Sequence, residues 1–223
     1  MSSPLLNKYA PPAERSRGCV FAEGFENATN LAKNGGTVVG TVPIPPGKGA
    51  VYPGTNGNYI WYPCESLLNR SVVNFVVEFW PEYASNDGAF HFFFDTIAPT
   101  EYYAVKHSNN GIQIMMGNTA LITVANATYA PYWRQYERNV LVISGTTGNT
   151  SVYLNGVFIG NSITAWTPAN PPILYVGCVS APVGTLTHNG RMTSVKIFTG
   201  NTSADLLSLR EARSYWRGGY CYV

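Results

Sequence analysis

Between Trp133 and Phe198 the chain reads Asn139-Val-Leu-Val-Ile-Ser-Gly145, then Ser151-Val-Tyr-Leu-Asn-Gly-Val-Phe-Ile-Gly160, then Tyr175-Val-Gly177 and Gly190-Arg-Met-Thr-Ser-Val-Lys-Ile-Phe198. These pieces are strand, hairpin, strand and strand. In the second, Asn155-Gly156 stands between two β-rich arms, and an Asn-Gly pair suits a type I′ turn because both central residues need positive φ.

Working outward, the same grammar continues toward the N-terminus. Asn74-Phe-Val-Val-Glu-Phe-Trp80 alternates, so Phe75, Val77 and Phe79 are expected on one face and Val76, Glu78 and Trp80 on the other. Phe90 to Asp95, Tyr102 to Lys106, Gly111 to Met116 and Ala120 to Val124 add further short strands. Cys19 opens a first strand, Thr37 to Val42 is a weaker one, and Asn56-Gly57 turns the chain before Tyr59-Ile-Trp-Tyr62. Short strands separated by Gly, Asn and Pro predict an all-β, antiparallel two-sheet sandwich. Only Ala204 to Trp216 has helical spacing, with Leu206, Leu207, Leu209 and Ala212 available for one face, so a short C-terminal helix is expected.

At 223 residues one large sandwich accommodates the chain. Residues 1–18 are Pro-rich and lack period, predicting an arm; residues 19–223 form the domain. Apolar residues make up 45% but charged residues only 12%, so the surface must be dressed with Asn, Thr, Ser and Tyr. Such a surface suits packing against other molecules or gripping glycans. A net charge of +2 argues against nucleic acid as a partner. No stretch approaches the length of a membrane span, and the first residues have no apolar core of a signal peptide.

The order of these motifs resembles the laminin-G-like, concanavalin A-like jelly-roll superfamily. Tyr153-Leu-Asn-Gly156 is similar to its hairpin, Asn74 to Trp80 to its "FTVEFWVKP" strand, and Gly49 to Pro63 to its "L.FDGS.DYV.VP" element. The resemblance spans residues 19 to 215. It implies a β-sandwich with first and last strands close together, hence a Cys19–Cys221 disulfide that leaves Cys64 with Cys178; four buried free thiols are the alternative. It also implies core positions for Trp80 and Trp133. Glycan-cleaving relatives carry a Glu-x-Asp-x-Glu triplet, which this chain lacks, so no enzyme activity is expected. His91, His107 and His188 are far apart and read as surface or loop side chains. Many relatives bind calcium through an acidic pair, but Thr193 and Ser194 stand there, arguing against such a site. No cofactor is expected; Glu23, Glu26 and Asp87 are the remaining calcium candidates.

Two segments invite partners. Trp166 lies in a Pro-rich stretch, either packed on its own sandwich or offered to an interface or ligand, while Tyr59, Trp61 and Tyr62 must expose part of their rings if they alternate. In the arm, Leu5, Leu6 and Tyr9 would find burial on a neighbouring subunit. The first functional expectation is therefore a non-catalytic structural protein tied to other protein subunits, such as a capsid-associated or tail protein at a virion surface. The alternative is a lectin-like glycan-binding module, secreted or at a cell surface. A glycan-active hydrolase is third.

Overall fold

The computed structural model describes residues 18–64, 67–97, 102–117, 119–164, 166–180 and 184–199. The arm with Leu5, Leu6 and Tyr9, the expected C-terminal helix and Cys221 lie outside the described residues.

Among the described residues fourteen strands form two antiparallel sheets. Sheet one runs β1 (Cys19–Glu23), β14 (Asn189–Thr199), β5 (Val72–Pro81), β10 (Asn139–Thr146), β11 (Asn149–Leu154), β12 (Val157–Ser162), with β3 (Ala50–Pro53) also paired to β14. Sheet two runs β2 (Thr37–Val39), β4 (Tyr59–Pro63), β13 (Ile173–Val176), β6 (His91–Thr96), β7 (Tyr102–Lys106), β8 (Ile112–Met116), β9 (Thr119–Val124). Two short helices, α1 (Ala28–Lys33) and α2 (Asn126–Tyr129), lie in connections. Among the described residues no helix is long and apolar enough to cross a membrane.

The expected hairpin forms as its chemistry requires: Asn155 and Gly156 take φ of 52° and 85°. The Asn155 side chain then ties three segments together. Its Oδ1 accepts from Val140 N at 2.8 Å, and its Nδ2 donates to Tyr132 O at 2.7 Å and Asn139 Oδ1 at 3.0 Å. In β5 the alternation holds, since Phe75, Val77 and Phe79 enter the core between the sheets. There Phe75 stacks on Phe94 of β6 with centroids 4.3 Å apart, and Phe79 meets Phe93 at 4.8 Å. These cross-sheet aromatic pairs contribute beyond their buried area and hold the two layers in one relative position. Gly177, at φ 80°, ends β13 where a Cβ would come within 2.3 Å of the Tyr52 ring, so both its backbone and its lack of a side chain are required.

Three sequence readings change or narrow. Trp166, open between packing on its own sandwich and an interface or ligand contact, is a core residue, 4% exposed. Its ring stacks on Tyr102 at 4.0 Å and lies over Gly145, where a Cβ would sit 2.7 Å from the indole. Its Nε1 donates to Arg70 O at 3.1 Å, which satisfies the one polar atom of the ring. Trp80 instead lies on the outer face of sheet one, half-buried, with the Arg191 guanidinium 5.1 Å from its ring. Trp133 packs against the core as expected.

The third change concerns the cysteines. Cys64 and Cys178 are free thiols, so the pairing of these two is not formed. Both are fully buried, and burial pushes each thiol up to about 12. Cys19 is buried in β1 and its Sγ donates to Phe21 O at 3.2 Å; its expected partner Cys221 is not among the described residues. We expect Cys64 and Cys178 to resist iodoacetamide in the folded chain at pH 8 and to label fully in denaturant, because the thiolate is the nucleophile. Rapid labelling of either, read by peptide mass spectrometry, would contradict their burial.

Candidate functional site

Apart from the bulges in β6 and in the β8–β9 pairing, sheet two alternates along its strands, so one set of side chains enters the core and the other forms an outer face. Ile60 and Tyr62 of β4, Leu174 and Val176 of β13, Tyr102 and Ala104 of β7, and Ile112 and Ile114 of β8 are all core residues. Their neighbours Tyr59, Trp61, Tyr175, Tyr103, Gln113 and Met115 therefore point outward. Of the three sequence candidates on β4, Tyr59 and Trp61 are half-buried on this outer face, whereas Tyr62 is buried inside against Phe21 at 5.1 Å.

Strand pairing turns these residues into a row. Thr37 pairs with Trp61, Trp61 with Tyr175, and Tyr175 with Asp95, so four strands place Thr, Trp, Tyr and Asp side by side, with Thr37 exposed, Trp61 half-buried and Tyr175 and Asp95 buried. Tyr59 meets Tyr175 with centroids 5.8 Å apart, and farther across the sheet Tyr103 meets Phe92 at 5.5 Å. The connection from Cys178 to His188 borders the row. Asp95 Oδ2 accepts from Ser180 N at 2.6 Å, Gly57 N donates to Gly184 O at 2.6 Å, and Gly184 lies so close that a Cβ would be 2.9 Å from the Tyr59 ring. The arrangement is an aromatic floor with one polar wall. It can stack flat apolar faces on Trp61 and Tyr59, while the buried Asp95–Ser180 bond fixes the wall beside them.

Sequence reasoning missed Tyr175, Asp95 and Tyr103. Ile173-Leu-Tyr-Val176 is a continuous apolar run of four residues, which gives no polar–apolar alternation from which to choose a face. The Asn56-Gly57-Asn58 turn beside β4 uses its amide internally: Asn58 Nδ2 donates to Thr55 O, Thr55 Oγ1 and Asn56 O, and its Oδ1 accepts from Thr41 N.

Four of the described carboxylates, Glu78, Glu23, Glu26 and Asp87, are engaged separately. Glu78 binds Arg138 Nη2 at 2.8 Å and accepts from Thr193 Oγ1 at 2.8 Å, the latter projected by a bulge in β14. Glu23 is buried, accepts from Phe25 N at 2.7 Å and Asn34 Nδ2 at 2.8 Å, and is raised above the ordinary carboxylate range by burial. Glu26 accepts from Asn30 Nδ2 at 2.8 Å. Asp87 belongs to a different cluster at the sandwich rim, so the three calcium candidates do not share one centre. Among the described residues no group of three His, Cys, Asp or Glu side chains could hold a metal ion.

That rim cluster contains titratable groups the sequence reading had placed on the surface. His91 is 7% exposed and stacks on Tyr83 with centroids 3.4 Å apart; its Nε2 donates to Asp87 Oδ2 at 2.6 Å. Lys106 is fully buried and donates to Asp87 Oδ1. His188 is fully buried among Tyr52, Phe79, Tyr83 and Phe93, with its Nδ1 3.4 Å from the Tyr83 hydroxyl and its Nε2 without a hydrogen-bond partner. Burial pushes His91 down to about 4, Lys106 down to about 8, and His188 well below the usual imidazole range.

No family model matches the sequence, and comparison with curated proteins finds no match. Solved structures do share the architecture. Domain 4 of AbnA, a GH43 extracellular arabinanase from Geobacillus stearothermophilus, in complex with arabinotriose, superposes with a TM-score of 0.63 at 16% identity over 86% of this chain and 97% of that one. Trypanosoma rangeli sialidase, in complex with 2,3-difluorosialic acid, matches at 0.63 and 13% identity over 93% of this chain but only 36% of the sialidase. The binding domain of botulinum neurotoxin DC, in complex with SialylT, matches at 0.57 and 13% identity over 80% of this chain and 46% of that one. At such identities the likeness is one of fold: the chain is a two-sheet β-sandwich of the kind these proteins contain.

Proposed function

We propose that this chain is a non-catalytic recognition domain that binds glycan on the outer face of sheet two, with Trp61 as the stacking platform and Tyr59, Tyr103 and Thr37 around it. The cross-strand row Thr37, Trp61, Tyr175, Asp95 carries this reading, because a rigid sheet presents the half-buried Trp61 indole beside the exposed Thr37, while Tyr175 and Asp95 next to them are buried. Structures of the same architecture with arabinotriose or SialylT bound support it by analogy of fold. The laminin-G-like motif order supports it too. The engaged, separated carboxylates favour binding without hydrolysis, since hydrolysis needs two acids facing one substrate bond.

A glycan array followed by calorimetry on the best hit tests the proposal. Trp61→Ala should weaken binding at least tenfold, in line with aromatic hot spots, while melting stays within about 2 °C of wild type. Absence of any glycan hit, or unchanged affinity in Trp61→Ala, would sink it.

A second reading, a subunit of a larger assembly such as a virion surface, is supported by the β12 region. Phe158 is 53% exposed and Ile163 90% exposed, an unusual display for β-edge apolar side chains. Light scattering behind size exclusion distinguishes the two: a stable oligomer that Phe158→Ser dissociates favours assembly, and a glycan-binding monomer opposes it.

A further inference from the structure

At the rim of the sandwich a lysine occupies a position built like an ion site. The Lys106 side chain is fully buried, and its Nζ donates to Asp87 Oδ1, to Ala89 O at 3.3 Å and to Asn110 Oδ1 at 3.3 Å. These are a carboxylate, a backbone carbonyl and an amide oxygen, the hard donors that surround bound cations. They come from two loops. One precedes β6 and is held by Gly88 N donating to Asn110 Oδ1 at 2.9 Å and Ala89 N to Asp87 Oδ1 at 3.2 Å. The other joins β7 to β8, where Asn110 takes φ 65° and its N donates to His107 O at 2.8 Å. Tyr129 clamps both, its hydroxyl lying 3.0 Å from Ser85 O and 2.8 Å from Asn110 O. Without a positive charge at its centre, the cage would hold a partly buried carboxylate and two carbonyl dipoles aimed at one point.

We propose that Asp87, Ala89 and Asn110 form a cation cage that the chain fills from within using the Lys106 ammonium, so that the rim loops are ordered without a bound metal ion. Charge decides which ion suits the cage. One carboxylate balances one ammonium, and the neighbouring His91 donates to the same carboxylate rather than adding a second negative group. A divalent ion would leave the cage with a net positive charge in a buried setting, which is costly. The ion that fits when the lysine is shortened is therefore a small primary ammonium, which also supplies the N–H donors the three oxygens accept.

The test uses the full chain. Lys106→Ala should lower the melting temperature by about 10 °C, the scale for breaking a buried charge pair in a domain of this size. Propylammonium chloride at tens of millimolar should recover at least a third of that loss. Tetramethylammonium chloride, which cannot donate, and sodium chloride at equal ionic strength should not. Wild type should show no calcium-dependent shift. The proposal is overturned if Lys106→Met melts with wild type, if all salts act alike on Lys106→Ala, or if calcium stabilises wild type. Should Lys106→Ala fail to fold, nitrogen-15 lysine NMR of wild type decides: a slowly exchanging ammonium resonance, absent in folded Lys106→Arg, supports the cage, and no protected ammonium overturns it.

Discussion

Trp166→Ala is expected to destabilise the chain by about 3–5 kcal/mol, the range for truncating a buried large aromatic, with a melting temperature lower by about 10 °C. The indole stacks on Tyr102, approaches Phe75 at 6.2 Å, and borders a cavity of about 10 Å³ lined also by Phe94, Ile114 and Leu121. Removing it enlarges that space and leaves Arg70 O without its donor. Local collapse is limited, because the opposite wall is the backbone of β10 at Gly145. Trp166→Phe should recover about half the loss, by filling volume without restoring the hydrogen bond. Denaturant unfolding measures both variants. Unchanged stability combined with weaker self-association would return Trp166 to the interface role that its Pro-rich surroundings suggest.

Acid should weaken the same fold through His188. Its imidazole is held well below the usual range by burial and by the nearby His91, so the folded state binds fewer protons than the unfolded one below about pH 6.5. Stability is then complete above pH 6.5 and falls as pH drops, by about 1.4 kcal/mol per pH unit for one such group. His91, pushed down to about 4 by burial, shifts in the same direction and adds a comparable slope over this range, so the two imidazoles act together. Around His188 the aromatic faces of Tyr52, Phe79 and Phe93 leave no acid to pair with a new charge. In His188→Phe the lost Tyr83 contact is a constant offset, while the slope between pH 6.5 and 5 should flatten by about one proton. Equal slopes in the variant and wild type, by urea unfolding across that range, would rule out this assignment.

Period-two alternation made β5, the Asn155 hairpin and the inner faces legible, because each needs only neighbouring residues. The fate of His91 was not legible, for a physical reason. Pairing runs His91 with Lys106 and Phe92 with Val105, then skips to Phe94 with Ala104, so β6 carries one extra residue at Phe93. A single inserted residue reverses the facing of everything beyond it. Strict alternation sent His91 outward; the bulge turns it onto Tyr83. Trp166 and His188 depend instead on where their loops return in space, which no local pattern encodes. Of the proposed site, Trp61 and Tyr59 were visible as aromatics that had to be partly exposed. Their partners on β13 and β6 became apparent only with the strand order.

That order also decides when the molecule can become itself. β14 is the last described strand along the chain, yet it lies inside sheet one, pairing with β1 and β3 on one side and β5 on the other. During synthesis, three early strands wait until residue 199 leaves the ribosome before their sheet can close. Until then the apolar inner face of β5 has no finished layer around it, and long-range pairing of this kind is slow and exposes aggregation-prone edges. Sheet one of a nascent chain therefore stays open until β14 arrives, the interval in which protection by a chaperone should matter most.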